Sequence, residues 1–317
     1  MNWRKKWRKY NMCCLYGFYN YSGKTIKGLQ DLTAALSEQA VERGRDATGI
    51  AYNNKGNLVI CKEAKSGDKV VFKHPEDIVC LTGHTRHSTQ GSHRKNYNNH
   101  PFMGKCKNTK FALAHNGVLI NDHELKKKYN LPKSKIETDS YVAVQMLEKQ
   151  KELNYLNIKQ MSESMEGSFA FSVLDDKNNL WLIKGDSPIT LIHLEKLKLY
   201  VYASTQQILY KAMVDTNLFD EIKNGRFEEI PIREGCILKI EPDEIIRTYS
   251  FDYRDFSSFS FRRWWQYGMD DYTGGWTYID DLKSIATYQG VSPDDIDHLI
   301  ESGFTPDEIE EYIYCVG

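Results

Sequence analysis

GSFAFSVLDDKNNLWLIKG, residues 167–185, reads as two apolar strands around a polar turn, the local signature of an antiparallel hairpin. The stretches on either side repeat the theme. ITLIHL at 189–194 and KLYVYAS at 198–204 form a second pair, a helix is expected over 205–214, and further strands near 227–251. Upstream, CCLYGFYNY at 13–21 reads as a first strand. A helix is expected over about 25–42, where Ile26, Leu29, Leu36 and Ala40 fall at helical spacing. ATGIAYN (47–53) and LVICK (58–62) flank an Asn-Lys-Gly turn at 54–56, a second hairpin. DIVCLTGHTR (77–86) and FALAHNG (111–117) are two more apolar runs, and helices are expected at 122–130 and 138–152. Residues 91–109 are polar and rich in Asn, Lys and Gly, the composition of a mobile surface loop. Strands dominate, with few of the strand–helix crossovers that a parallel sheet requires. The expected class is therefore α+β: two antiparallel sheets face to face, with helices covering the outside.

Composition narrows the function. In 317 residues, 42 Lys and Arg balance 43 Asp and Glu, a net charge of −1. A neutral chain gains nothing general from nucleic acid or an anionic membrane, so neither is an expected partner. No uncharged apolar run approaches the roughly 20 residues of a membrane helix. The basic start MNWRKKWRKYN is not followed by an apolar stretch and a small-residue cleavage site, so no secretory signal is expected. The seven cysteines include no CxxC pair. The odd count argues against a disulfide framework and for a cytoplasmic protein with at least one free thiol.

The ends differ from the body. Residues 1–11 carry Arg4, Lys5, Lys6, Arg8 and Lys9 and no acid, whereas 270–317 carry twelve acids against Lys283 alone. Residues 260–278 are aromatic, with Trp264, Trp265 and Trp276. SPDDIDHLI at 292–300 and TPDEIEEYI at 305–313 then repeat, each opening Ser/Thr-Pro-acid-acid. Ser292 and Thr305 are natural caps, Thr305 with Glu308 makes a capping box, and Gly303 breaks the chain between. An acidic helical hairpin is expected, serving as a structural cap or as a docking module. The expected division is an N-terminal extension at 1–12, a main domain at 13–252, an aromatic linker at 253–278 and the acidic hairpin at 279–317.

Six short segments carry candidate chemistry: Met-Cys-Cys-Leu-Tyr-Gly at 12–17, Arg-Gly-Arg-Asp-Ala-Thr-Gly at 43–49, Gly-His-Thr-Arg-His-Ser-Thr at 83–89, Asn-Asn-His-Pro at 98–101, His-Asn-Gly at 115–117 and Glu-Thr-Asp-Ser at 137–140. Singly, each is a buried thiol, a turn or a helix cap. Together, in this order, they resemble the class II glutamine amidotransferase domain, a member of the N-terminal-nucleophile hydrolases. The resemblance covers roughly residues 13–250. It implies a four-layer α-β-β-α sandwich and an enzyme that hydrolyses the side-chain amide of L-glutamine to glutamate and ammonia.

The resemblance also implies roles. Cys13 is the candidate nucleophile, its thiolate attacking the amide carbon to give a thioester. If Cys13 is the first residue, its own α-amine, with a pKa of about 8, suits a general base. Asn116 and the backbone N–H of Gly117 would form the oxyanion hole, where one donor contributes about 3–4 kcal/mol. Arg86 would pair with the glutamine carboxylate through its planar fork, and Asp139 would hold the ammonium. Thr89, Arg43 and His115 belong to the substrate site as supporting positions. No cofactor is implied. A metal is not expected either: His84 and His87, three apart on an expected strand, point to opposite faces and lack a Cys or carboxylate at ligand spacing.

Several features depart from the family. Twelve residues precede Cys13, and an amide nitrogen is no base. They would be cut as a propeptide, lie upstream of a start at Met12, or be retained in an inactive protein. Cys14 stands where the family has Gly; Gly17, four after Cys13, fixes Cys13 as the nucleophile. His87 and Gln90 are further departures that bear on their loop. Only about 65 residues follow position 250, too few for a synthase half, and they hold no phosphate-cradling glycine run. The leading expectation is a glutaminase feeding ammonia to a separate synthase docked by the C-terminal tail. The alternatives are an amidase acting on another γ-glutamyl amide and a non-catalytic binding protein that keeps the fold.

Overall fold

The computed structural model describes residues 12–216, 224, 227–242, 246–254, 283, 286–287, 291–302, 304, 309 and 312–313. The chain divides into two compact units, 1–256 and 257–317.

In the first unit, alternating sequence becomes two antiparallel sheets. One runs β11 (Glu228–Ile230), β9 (Thr190–Leu194), β10 (Leu199–Ala203), β1 (Cys14–Asn20), β4 (Cys80–Arg86), β2 (Ala47–Asn54), β3 (Asn57–Glu63). The other runs β13 (Ile246–Ser250), β12 (Cys236–Ile240), β8 (Leu180–Lys184), β7 (Gly167–Asp175), β6 (Thr109–Leu119), β5 (Phe102–Cys106). Successive side chains on a strand point to opposite faces, and β1 shows what this does. Cys14, Tyr16 and Phe18 pack with Leu29, Leu32 and Leu36 of helix α1 (Leu29–Ala40) and with Ile208 and Leu209 of α5 (Gln206–Val214). Leu15 and Tyr19 pack the other way, against Ala114, Ala170, Leu174 and Leu182 of the second sheet. That sheet's outer face, with Phe111, Leu113, Phe169 and Phe171, meets Val142 and Met146 of α3 (Tyr141–Gln150) and Ile158 and Met161 of α4 (Tyr155–Ser164). The short α2 (Asp122–Lys128) adds Leu125 to this layer. Three apolar layers separate four layers of structure, the α-β-β-α sandwich.

Polar side chains within the middle layer bridge the sheets. Thr82 Oγ1, which takes the Tyr202 hydroxyl of its own sheet at 2.9 Å, lies 2.7 Å from Ser172 Oγ of the other, and Asn53 Nδ2 donates across to the Asp175 carbonyl at 2.7 Å. Each satisfies a buried group that would otherwise cost about 1–3 kcal/mol.

Residues 91–109 differ from expectation. They are not a mobile surface loop: Asn98, Asn99 and His100 are buried, and β5 pairs with β6 as a hairpin. Phe102, Gly104 and Cys106 face inward while Met103 and Lys105 face out. A glycine and a lysine diluted that alternation in the sequence. The polar residues are buried because they bond one another: Asn98 Nδ2 donates to Glu137 Oε2 at 2.8 Å, and the Glu137 N–H returns to Asn98 Oδ1 at 2.9 Å. The helix expected over 25–42 is confined to 29–40, and that over 138–152 to 141–150. Helix α4 had no counterpart in the sequence reading. Its sequence is largely polar, and it is fixed by the Asn154 cap, which accepts from the Asn157 N–H at 3.0 Å.

The second unit contains α6 (Pro293–Glu301), capped by Ser292 Oγ, which accepts from the Asp294 N–H at 3.2 Å. Ile296 packs with Ala286, Val291, Ile309 and Ile313. Residues 1–11, the tryptophans of the aromatic stretch, Gly303 and the Thr305–Glu308 capping box lie outside the described residues. Among the described residues, no helix is long and apolar enough to cross a membrane.

Leu182 is fully buried between the sheets, whereas Leu156 on α4 is 67% exposed. Leu182→Ala is expected to lower stability by about 2–5 kcal/mol and Leu156→Ala by no more than about 0.5 kcal/mol, read as the shift in urea unfolding midpoints.

Candidate active site

Strand alternation separates the two adjacent thiols. Cys14 is fully buried under α1. Cys13, just before β1 and itself partly buried, has the parity of Leu15, which faces the layer between the sheets. The register pairs Cys14 with Thr85, so Arg86 at the end of β4 comes alongside Cys13. Arg86 shares its face with Thr82, which bridges to the second sheet. The chain around Cys13 is clamped. The Arg43 Nε donates to the Cys13 carbonyl at 2.9 Å, and the Met12 N–H donates to the Arg43 carbonyl at 3.2 Å. The Cys13 sulfur lies 3.4 Å from both the N–H and the carbonyl of His87, accepting from one and donating to the other. Burial pushes the Cys13 thiol up to about 11, outweighing the His87 N–H and the Arg86 and Arg43 charges that pull it down; Asp139 adds to the rise.

Asn116 on β6 shares a face with Ala114 and also turns into the middle layer. Its Nδ2 donates to Ser204 Oγ at 3.2 Å, and its Oδ1 is buried without a partner. Gly117 has φ of +138°, and a Cβ there would sit 2.0 Å from the Ser168 carbonyl oxygen, so the position admits only glycine. His115 takes the opposite parity: its ring stacks on Phe171 at 4.7 Å, and Nδ1 lies 2.8 Å from Ser140 Oγ at the start of α3. The alternation of β6 thus turns His115 to the helix side while Asn116 faces the thiol's layer.

Asp139 joins the two regions. Its carboxylate accepts from the Leu119 N–H at 2.7 Å and from the Ser140 hydroxyl at 3.2 Å, and its charge is felt by Cys13, Arg86 and His115. The Arg86 guanidinium is not idle either. Nη1 donates to Asn99 Oδ1 at 2.8 Å, and Nη2 donates to the carbonyls of Gln90 at 2.5 Å and Gly91 at 2.7 Å. Arg86 therefore ties down the loop after β4, in which Thr89 lies half-buried in a bend.

Orphaned polar atoms gather here: Arg43 Nη2, His84 Nδ1, Ser88 Oγ, both His100 ring nitrogens, Asn116 Oδ1 and Thr138 Oγ1. Buried polar groups are normally paired, so this concentration suits a polar ligand. The histidines pack as rings. His84 and His100 have centroids 4.2 Å apart, and His84 Nε2 lies 2.9 Å from the His115 carbonyl. Burial holds His84 down to about 3 and His100 well below its usual range, so both are neutral at neutral pH. His87 lies beyond the end of β4 rather than on it. Among the described residues, no group of three His, Cys, Asp or Glu could hold a metal.

The sequence reading missed three contributors. Asp46 Oδ2 accepts from the Ser88 N–H at 2.6 Å and anchors the loop beside Cys13. Asn99 receives Arg86. Both lie inside motifs already singled out, but without an assigned role. Ser204 gave no signal, because a serine before Thr205 at a helix start reads as capping.

The architecture is that of the class II N-terminal-nucleophile hydrolase fold, with a thiol leading into its central strand. Residues 84–211 match the family described as a glutamine amidotransferase domain. The chain thus carries a glutamine amidotransferase-type domain, with Arg86, Asn116, Gly117 and Asp139 inside the matched residues and Cys13 before them. Glutamine–fructose-6-phosphate aminotransferase (isomerizing) from Staphylococcus aureus is 33% identical over 202 residues, covering 57% of this chain and 30% of that protein. The protein of the same name from Listeria innocua is 30% identical over 248 residues, covering 74% of this chain and 38% of that protein. The chain spans about a third of the length of these relatives. Among solved structures, glutamine phosphoribosylpyrophosphate amidotransferase from B. subtilis superposes with a TM-score of 0.56 at 20% identity, over 76% of this chain and 50% of that one, a likeness of fold.

The thiolate is the reactive form of cysteine. With Cys13 still bonded to Met12, its alkylation by iodoacetamide is expected to climb with pH and reach half its limiting rate only at about 11. Peptide-resolved mass spectrometry would follow it; a plateau below about pH 9 would contradict the burial argument.

Proposed function

We propose that this chain is a glutaminase that hydrolyses L-glutamine through a Cys13 thioester and passes the ammonia to a separate synthase. The observation that supports this best is the convergence of Cys13, Arg86 and Asn116 on one layer, at the end of the sandwich where β1 begins. In this reading the thiol attacks the side-chain amide carbon. The developing oxyanion takes the second Nδ2 hydrogen of Asn116 and the N–H of Gly117. Arg86 offers its charge to the substrate carboxylate while holding the 87–91 loop, and Asp139 receives the ammonium. Thr89 and Arg43 support the site, Arg43 by fixing the Cys13 carbonyl. His115 acts from behind β6, through Ser140 next to Asp139.

A thiol raised to about 11 is almost wholly protonated at neutral pH. It needs a base within reach, and the α-amine of a chain beginning at Cys13, with a pKa of about 8, would serve. While Met12 is attached that nitrogen is an amide. The active form is therefore proposed to begin at Cys13. The acidic C-terminal unit is proposed as the docking piece for the synthase.

The test is intact mass and ammonia release measured on one sample. A chain beginning at Cys13 that releases ammonia from glutamine is expected. Cys13→Ala should abolish release, and Asn116→Ala should lower kcat by about 100- to 1,000-fold. Undiminished release by Cys13→Ala, or activity in a sample that wholly retains residues 1–12, would overturn the reading. A chain lacking 257–317 should still release ammonia, since the proposed machinery lies within the first unit.

A further inference from the structure

We infer that Ser204 is a positioning residue, setting which end of the Asn116 amide faces the reacting centre; the inference rests on the glutaminase reading above. Ser204 is fully buried at the junction of β10 and α5. It is clamped to β1 two residues after Cys13: its N–H donates to the Leu15 carbonyl at 2.8 Å, and its Oγ accepts from the Leu15 N–H at 2.9 Å. The same Oγ accepts from Asn116 Nδ2 at 3.2 Å, across the space between the sheets and 88 residues away in sequence. One hydroxyl thus joins the strand that carries the thiol to the side chain that would stabilise the oxyanion.

The chemistry of the hydroxyl gives this contact a direction. A serine oxygen accepts through two lone pairs and donates one hydrogen. Leu15 and Asn116 fill both lone pairs. Ser204 therefore meets the amino end of Asn116, not its carbonyl, and fixes the plane in which the second Nδ2 hydrogen points. Without the hydroxyl, the amide is free to turn over. Its carbonyl, already without a partner, would then be able to present a lone pair where an oxyanion needs a donor. Alternation along β10 puts Ser204 on the same face as Tyr202, so the contact needs both sheets in place.

A double-mutant cycle tests the inference on ammonia release from glutamine by the full chain. Ser204→Ala is expected to lower kcat by about tenfold or more with KM within about twofold, and Ser204→Thr, which keeps the hydroxyl, to restore it. In an Asn116→Ala background, Ser204→Ala should cost nothing further, because residues acting through one another are non-additive. An unchanged kcat in Ser204→Ala, or a full additional loss in the Asn116→Ala background, would overturn the inference. A silent wild type would sink the glutaminase reading instead. Nuclear magnetic resonance of asparagine-¹⁵N-labelled protein then decides about Ser204 separately. The Asn116 Nδ2 signal, identified by its loss in Asn116→Ala, should move in Ser204→Ala and return in Ser204→Thr; an unmoved signal overturns the inference.

Discussion

The site depends on the layer buried between the two sheets. Both sheets supply groups proposed to contact glutamine. Cys13 and Arg86 belong to the first sheet, Asn116 and Gly117 to the second. Their separation is set by the thickness of apolar packing, Leu15 and Tyr19 against Ala114, Ala170 and Leu182. Small residues on β6 and β7 let the sheets approach, and buried hydroxyl and amide bridges fix them against sliding. A well-packed interior transmits small displacements rather than absorbing them. Core residues far from Cys13 thus help set the geometry of the site.

The electrostatics follow from the same burial. The site end of the layer holds Arg43, Arg86 and neutral histidines around the Cys13 thiol, with the carboxylates of Asp139 and Asp46 close by. Desolvation outweighs the two arginine charges and leaves the thiol protonated at neutral pH. Such a site does not hold a standing thiolate at neutral pH. The orphaned polar atoms around it make a polar cluster inside an apolar sandwich.

Arg86 holds structure together beside the candidate thiol. Its bonds to Asn99, Gln90 and Gly91 shape the loop whose backbone brackets the Cys13 sulfur. Asp46 holds the same loop from the other side through the Ser88 N–H. The loop, the thiol and the guanidinium form one unit, so disturbing any of them shifts the others.

By itself the sequence determined the strands, the antiparallel pairing and the layered class, because period-2 alternation and turn residues are local properties. It also singled out Cys13, Arg86, Asn116, Gly117 and Asp139, through short motifs whose order was informative. Only the tertiary structure decided which way those residues face. Cys14 lies under α1, while Cys13 has the parity of Leu15, which faces the middle layer; His115 faces α3, while Asn116 faces Ser204. A strand's pattern shows that it has two faces and leaves open what covers each. The sequence also misjudged residues 91–109 and was silent on α4 and Ser204. For residues 91–109 and Ser204, polar side chains are buried by partners distant along the chain, Glu137 for Asn98 and Asn116 for Ser204. Polarity is written in the sequence, but the partner that satisfies a polar group is fixed only when the sheets close.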